Sequence, residues 1–375
     1  MAGFEEPAIY SPEFADTIIP ANGTYPFYFS ENPSLIAGLS DKSLSLIAPL
    51  VAYWVHSLIF HALDVYGTEW AWLAPYRIHE SAEVKAKNLV SKSQVVWAVL
   101  VQQAIQTILG IIFVDSEETS VDHREKMARM SPILVQSTLL WMGNPHLAQS
   151  SLQRWGSSVL YFAYWWAIPT AQILFAFFVL DTWQYFLHRY FHTNKFLYRH
   201  FHSWHHRLYV PYAFGALYNH PFEGFLFDSL GAVVAENISR LSIRQTVLLF
   251  TFSSLKTVDD HCGYSLPFDP LQILFSNNAD YHDIHHQAIG IKKNFSQPFF
   301  IHWDTILGTK MTRKEVEERS KKSKRNGLLK ENGHANEHVN GHTNGHANGH
   351  ANGHANGDGN GNGVANGDHH KLKVE

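Results

Sequence analysis

The stretch Val159–His192, VLYFAYWWAIPTAQILFAFFVLDTWQYFLHRYFH, decides the fold. Its first part, Val159–Leu180, is uncharged and dense in Phe, Trp and Tyr, with Pro169 near its middle. A run of that length suffices to cross a bilayer, whose hydrocarbon core of about 30 Å takes roughly 20 apolar residues. Its second part begins at Asp181 and sets His188 and His192 four apart. If the helix continues past the bilayer, the two imidazoles lie one turn apart on one face, just above the membrane. A membrane helix that ends in paired histidines predicts a metal site at the interface.

Two further runs share the apolar character. Ser43–Tyr66 contains SLIAPLVAYWVHSLIF, and Gln94–Val114 contains VVWAVLVQQAIQTILGIIFV. Three such runs in one chain argue against the buried helices of a soluble bundle. Phe225–Val258 differs, because FLFDSLGAVVA and TVLLFTFSSL flank the polar segment Glu236–Arg244. A straight span would bury Glu236, Arg240 and Arg244 at about 2.5–3.5 kcal/mol each. A helical hairpin, or partial insertion, avoids that cost. The expected fold is an all-α integral membrane bundle of about four transmembrane helices or hairpins. A cytosolic histidine-rich catalytic cap would sit on it.

Charge and cysteine content bound the rest. A net charge of -4 over 375 residues gives no nucleic-acid signal. Cys262 is the sole cysteine, which excludes an internal disulfide framework. The first 40 residues carry no basic-then-apolar leader, so insertion should use internal spans. Loop charge ties: Arg77, Lys85, Lys87 and Lys92 follow the first run, and Arg124, Lys126, Arg129 and Arg154 the second. Parity settles orientation instead. The histidine groups must share one side, the hairpin returns the chain to it, and the basic stretch Arg313–Arg325 fits the cytosol. Three crossings then put the N-terminus in the lumen, where Asn22-Gly23-Thr24 would be a usable glycosylation sequon.

The histidines carry the chemistry. His202, His205 and His206 follow the first pair with spacing i, i+3, i+4, and His282, His285 and His286 repeat it. With His220 and His261 they make ten candidate ligands. His200 stands two before His202 and points elsewhere on a helix. His56, His61, His146 and His302 are isolated and read as ordinary satisfied residues. Imidazole suits zinc, copper, iron and nickel, but zinc sites use three or four protein ligands, so ten point to two metals. HExxH is absent, and with it the general base of a zinc protease. Two redox-active irons that activate dioxygen fit a membrane site. Asp181, Asp259, Asp260, Asp280 and Asp283 are candidates to hold a ligand's distal N–H, or to cap helices. Glu223 could meet a substrate amine, the site itself or a helix end. Arg189 and Arg207 could meet lipid phosphate or an electron donor, or snorkel at the interface.

The boxes HRYFH, HSWHH and HDIHH resemble those of the fatty acid hydroxylase and sterol desaturase superfamily of ER membrane di-iron enzymes. The stretch Leu197–Gly224, LYRHFHSWHHRLYVPYAFGALYNHPFEG, resembles that superfamily's sphinganine C4-hydroxylase branch, particularly in fungi. The likeness covers about Ser43–Thr312. It implies two iron ions, dioxygen as co-substrate, and sphinganine or a dihydroceramide as substrate. It also implies that His188, His192, His202, His205, His206, His220, His261, His282, His285 and His286 form the ligand set. No His-Pro-Gly-Gly haem signature is fused to the chain, so electrons would come from separate cytochrome b5 and its reductase.

The implied plan has four parts. Residues 1–42 form a lumenal segment, 43–180 the membrane helices, 181–312 the fatty acid hydroxylase region, and 313–375 a cytosolic tail. From about Asn326 the tail becomes a Gly-His-Ala-Asn repeat with too few apolar residues to bury a core, which predicts disorder. Eight of the 25 histidines lie there and are set apart from the site. Lys371 and Lys373 have the spacing of a dilysine ER-retrieval signal. Two other functions compete. One is a sterol C4-methyl oxidase or C5-desaturase using the same site; the other is a non-catalytic metal-binding membrane protein such as a transporter. Transport would require polar residues inside spans that are nearly free of charge.

Overall fold

Apolar length sets the frame, and caps set its ends. In the computed structural model, α1 (Asp41–Tyr66) starts where the Ser40 side chain accepts the Ser43 N–H. Helix α2 (Lys92–Phe113) opens with a capping box between Ser91 and Gln94, which satisfies two otherwise orphaned donors. Helices α3 (His123–Met142) and α4 (Pro145–Phe162) reverse at Gly143, whose φ of 63° is the left-handed conformation glycine adopts at no steric cost. The structure describes residues 8–114, 121–323 and 325. The chain forms two units, Met1–Arg319 and Ser320–Glu375. The Gly-His-Ala-Asn repeat and Lys371 and Lys373 lie outside the described residues.

The decisive stretch folds as one continuous rod. Helix α4 runs through a π turn, Ala163–Ala167, into α5 (Ile168–Thr193), and Pro169 falls in the first turn of α5. The candidate span is Pro145–Thr193, 49 residues. At 1.5 Å per residue that is about 74 Å, over twice the hydrocarbon thickness. A rod of that length can cross the bilayer and still carry His188 and His192 clear of it. Asp41–Glu69 and Lys92–Phe113 are likewise long and apolar enough to cross.

Phe225–Val258 is a hairpin of two short arms. A π turn, Phe225–Leu230, leads into α6 (Gly231–Ser239), which packs on α5. The chain reverses at Arg240, φ 52°, and returns as α7 (Ile243–Asp260) along α1. The polar residues that weigh against a straight span are used at the turn. Arg244 donates to Asp41 at 2.9 Å and to the carbonyls of Ser30 and Asn32, and Glu236 accepts from Thr246. Neither arm is long and apolar enough to cross alone. Three such helices stand among the described residues, against the expected four, and no strand is present there.

Two apolar clusters position the cap. One joins Tyr53, Phe60, Val95 and Val99 of α1 and α2 to Leu208, Tyr212 and Phe214. The other joins Ala176, Phe177 and Leu180 of α5 to Leu249 and Phe299. The Asp181 carboxylate accepts the N–H groups of Phe299 and Phe300 at 3.0 and 2.6 Å, pinning that segment to α5.

Candidate metal centre

Three elements bring the boxes together. The end of α5 carries His188 and His192; a 3-10 turn, His202–Arg207, carries the second box; α8 (Ala279–His286), capped by Asn278, carries the third. Nine histidines converge as two groups. His188, His192, His202, His206 and His285 form one, and His205, His261, His282 and His286 the other; within each group the ligating nitrogens lie within 4.8 Å of one another. Every member is buried.

The boxes are divided between the groups. The i, i+4 pair His202 and His206 joins the first group, while His205 between them joins the second. The third box inverts this, with His282 and His286 in the second group and His285 in the first. Each group thus holds one box's outer pair and the other box's middle residue.

Tautomers follow from partners. Nδ1 of His188, His285, His286, His205 and His261 faces the carbonyls of Phe295, Lys293, Leu208, Tyr218 and Thr257 at 2.7–3.2 Å. Nδ1 of His202 faces Glu223 Oε1 at 2.5 Å. A carbonyl only accepts, so the proton sits on Nδ1 and the Nε2 lone pair faces inward. Burial pulls the pKa of His202, His261 and His285 down to about 3 and of His205 to about 4, which keeps the rings neutral. Yet His188 and His202 bring Nε2 atoms to 3.1 Å, and His205 and His261 to 3.4 Å. Acceptors facing acceptors at that distance repel unless a cation lies among them.

The spacings fit such a cation. Nitrogens about 2.1 Å from one ion lie about 3.0 Å apart at right angles and about 3.4 Å apart at the tetrahedral angle. The close Nε2 pairs lie 2.7–3.1 Å apart among His188, His192, His202 and His206, and 3.0–3.4 Å apart in the second group. The residues present therefore suit two metal ions, with five and four histidine nitrogens.

His220 stands outside both groups. Its Nδ1 accepts the Phe222 N–H and caps the turn Pro221–Gly224, and its ring packs on Phe201 and Trp204. The expected ten ligands converge as nine because that cap turns the ring away. His200 is also outside, donating to the Phe196 carbonyl from an exposed position. His56, His61, His146 and His302 join neither group.

The aspartates act otherwise than as partners of ligand rings. Asp280 and Asp283 pair with Arg313, Asp283 also with His79, Asp260 with Lys256 and Asn277, and Asp259 with Gln272. Backbone carbonyls hold five of the candidate ligand rings instead and Glu223 holds a sixth, while Nδ1 of His206 and His282 is buried without a partner. Burial raises Glu223 to about 7, and a cation on His202 would favour its ionised form. Arg189 donates to the Tyr185 hydroxyl, and Arg207 lies over the Trp204 ring.

Sequence reading passed over Asp304. Its carboxylate accepts from Phe295 N, Ser296 N, Tyr281 Oη and Thr309 Oγ1, which fixes the carbonyl that orients His188. An aspartate four residues after a proline-aromatic run carries no local signal of that role.

Gly224 fits for a steric reason. A Cβ there would lie 1.7 Å from Gln102 Nε2 on α2, and Gln102 is 1% exposed. Gly224→Ala is expected to cost about 1–3 kcal/mol through overpacking, read as a lower melting temperature, with Gln102→Ala restoring part of it.

A family model described as fatty acid hydroxylase matches residues 173–309. The sphingolipid C4-hydroxylase of Saccharomyces cerevisiae is 46% identical over 292 residues, 78% of each chain. Sphinganine C4-monooxygenase 1 of Arabidopsis thaliana is 45% identical over 273 residues, 73% of this chain and 89% of its own. A rice protein named very-long-chain aldehyde decarbonylase is 42% identical over 278 residues, 73% of this chain and 90% of its own. No solved structure matches the chain. The split histidine boxes at the end of a membrane helix, and relatives of this identity along most of their length, place the chain in the fatty acid hydroxylase family.

Proposed function

We propose that this membrane protein is a di-iron monooxygenase that hydroxylates C4 of sphinganine or dihydroceramide, giving phytosphingosine or phytoceramide. The observation that carries the reading is the pair of neutral histidine groups, set beside relatives named for C4 hydroxylation of sphingoid bases. The reaction consumes dioxygen, two electrons and two protons; one oxygen enters the C–H bond and the other leaves as water. An unactivated C–H bond offers no handle to acid–base catalysis, so bound iron supplies the redox chemistry that activates dioxygen.

The chain's own residues supply order. Carbonyls and Glu223 fix six rings with Nε2 inward, in the manner of outer partners that orient metal ligands. Phe227 and Phe295 pack against His188 and give that side of the first group an apolar wall. Electrons would come from cytochrome b5 and its reductase. We place the protein in the endoplasmic reticulum membrane with a lumenal N-terminus and with the site and C-terminus in the cytosol. The rice relative's name raises aldehyde decarbonylation as a second reading. The cavity beside the histidines is lined by carboxylates and side-chain amides, which suits an amino-diol better than a bare aldehyde.

Lipid analysis tests the reading. Cells lacking their own C4-hydroxylase should regain phytosphingosine on expression of this chain; an unchanged profile, or alkane formation from long aldehydes, would contradict it.

A further inference from the structure

A small cavity of about 40 Å³ adjoins both histidine groups, touching His202 of the first and His205, His261 and His282 of the second. The rest of its wall is mixed, with the polar groups of Glu223, Asp228, Gln184, Asn219 and Gln297 set among apolar side chains. The head of a long-chain base carries one nitrogen and two hydroxyls, groups that need partners of the kind this wall offers.

Two features point to an absent ligand. Glu223 is 2% exposed; its Oε1 is used by His202, and its Oε2 is buried without a partner. Such an orphaned carboxylate oxygen costs stability unless something donates to it. Asp228 lies in the π turn Phe225–Leu230, whose wider turn brings it to the same wall as Glu223, five residues earlier. The Gln106 amide approaches its carboxylate at 3.4 Å, and among the described residues no Lys or Arg forms an ion pair with it. A carboxylate set among amides and lacking a cation is placed to receive one from a ligand.

Substrate chemistry supplies the distance argument. In a sphingoid base the reacting C4 is bonded to C3, which bears a hydroxyl, and is two bonds from C2, which bears the nitrogen. With C4 at the metal groups, the C3 hydroxyl and C2 nitrogen stay close to them, and this cavity adjoins both groups.

We propose that this cavity seats the amino-diol end of the base, with Asp228 positioning the nitrogen and Glu223 Oε2 accepting from a substrate hydroxyl. The inference rests on the C4-hydroxylase reading. Asp228 is a positioning residue that fixes which carbon faces the metals.

The test uses full-length protein in membranes with an electron source, and two substrates: sphinganine and its analogue with hydroxyl in place of the amine. Wild type should prefer the amine. Asp228→Asn should keep its metal content and raise KM for sphinganine about tenfold to a hundredfold, as for a lost hydrogen bond to a charged group. Its kcat should change far less, and its preference for the amine should collapse. An unchanged KM or a retained preference in the variant overturns the proposal. So does wild type that turns over both substrates equally, a result independent of how the variant folds. Wild type that makes no 4-hydroxy product overturns the C4-hydroxylase reading itself and this proposal with it.

Discussion

Replacing His285 by alanine is expected to remove one of the two proposed metals and lower hydroxylation by more than about a hundredfold, beyond the 10–100-fold typical of outer-shell partners. His285 belongs by sequence to the third box, yet its Nε2 faces the group that contains His188 and His192. The loss should therefore fall on the first group and spare the second. His205→Ala should do the reverse, although His205 sits between two ligands of the first group. Metal analysis of the purified variants, with product measured in parallel, reads both. Full metal content and normal turnover in His285→Ala would remove that residue from the ligand set.

Glu223→Ala carries the second large effect. Glu223 Oε1 accepts from His202 Nδ1 at 2.5 Å, and that bond holds the His202 Nε2 lone pair toward the metal group. Without it the ring can change tautomer or turn, at a cost of about 10–100-fold in metal affinity or activity. Glu223→Gln retains a carbonyl acceptor and should fall between Ala and wild type. Metal titration of the three proteins checks the order. If Ala and wild type take up metal equally and turn over equally, Glu223 does not orient the ring.

The membrane frame was legible because span length and absence of charge are local properties of sequence. Val159–Leu180 and Ser43–Tyr66 lie within two of the three long apolar helices, and Gln94–Val114 matches the other to within its cap residue Val114. The hairpin was legible from Glu236, Arg240 and Arg244, whose burial in a straight span would be costly. The histidine boxes were legible for the same reason: spacing is written in the chain. Their division was not. Which face of a 3-10 turn meets which face of α8 depends on the packing of distant elements. His261 and His220 looked equivalent in sequence, and local capping separates them. The partners of the ligand rings were hidden because backbone carbonyls have no residue identity. Asp181 illustrates the converse, an aspartate near a ligand that pins the backbone of Phe299 and Phe300 instead.

The most direct test of the whole account is the fate of labelled dioxygen. Membranes containing the full chain, supplied with sphinganine and reducing equivalents under ¹⁸O₂, should yield 4-hydroxysphinganine with one labelled oxygen, at C4. Unlabelled product, or oxygen inserted at another carbon, would contradict a monooxygenase built on the two histidine groups.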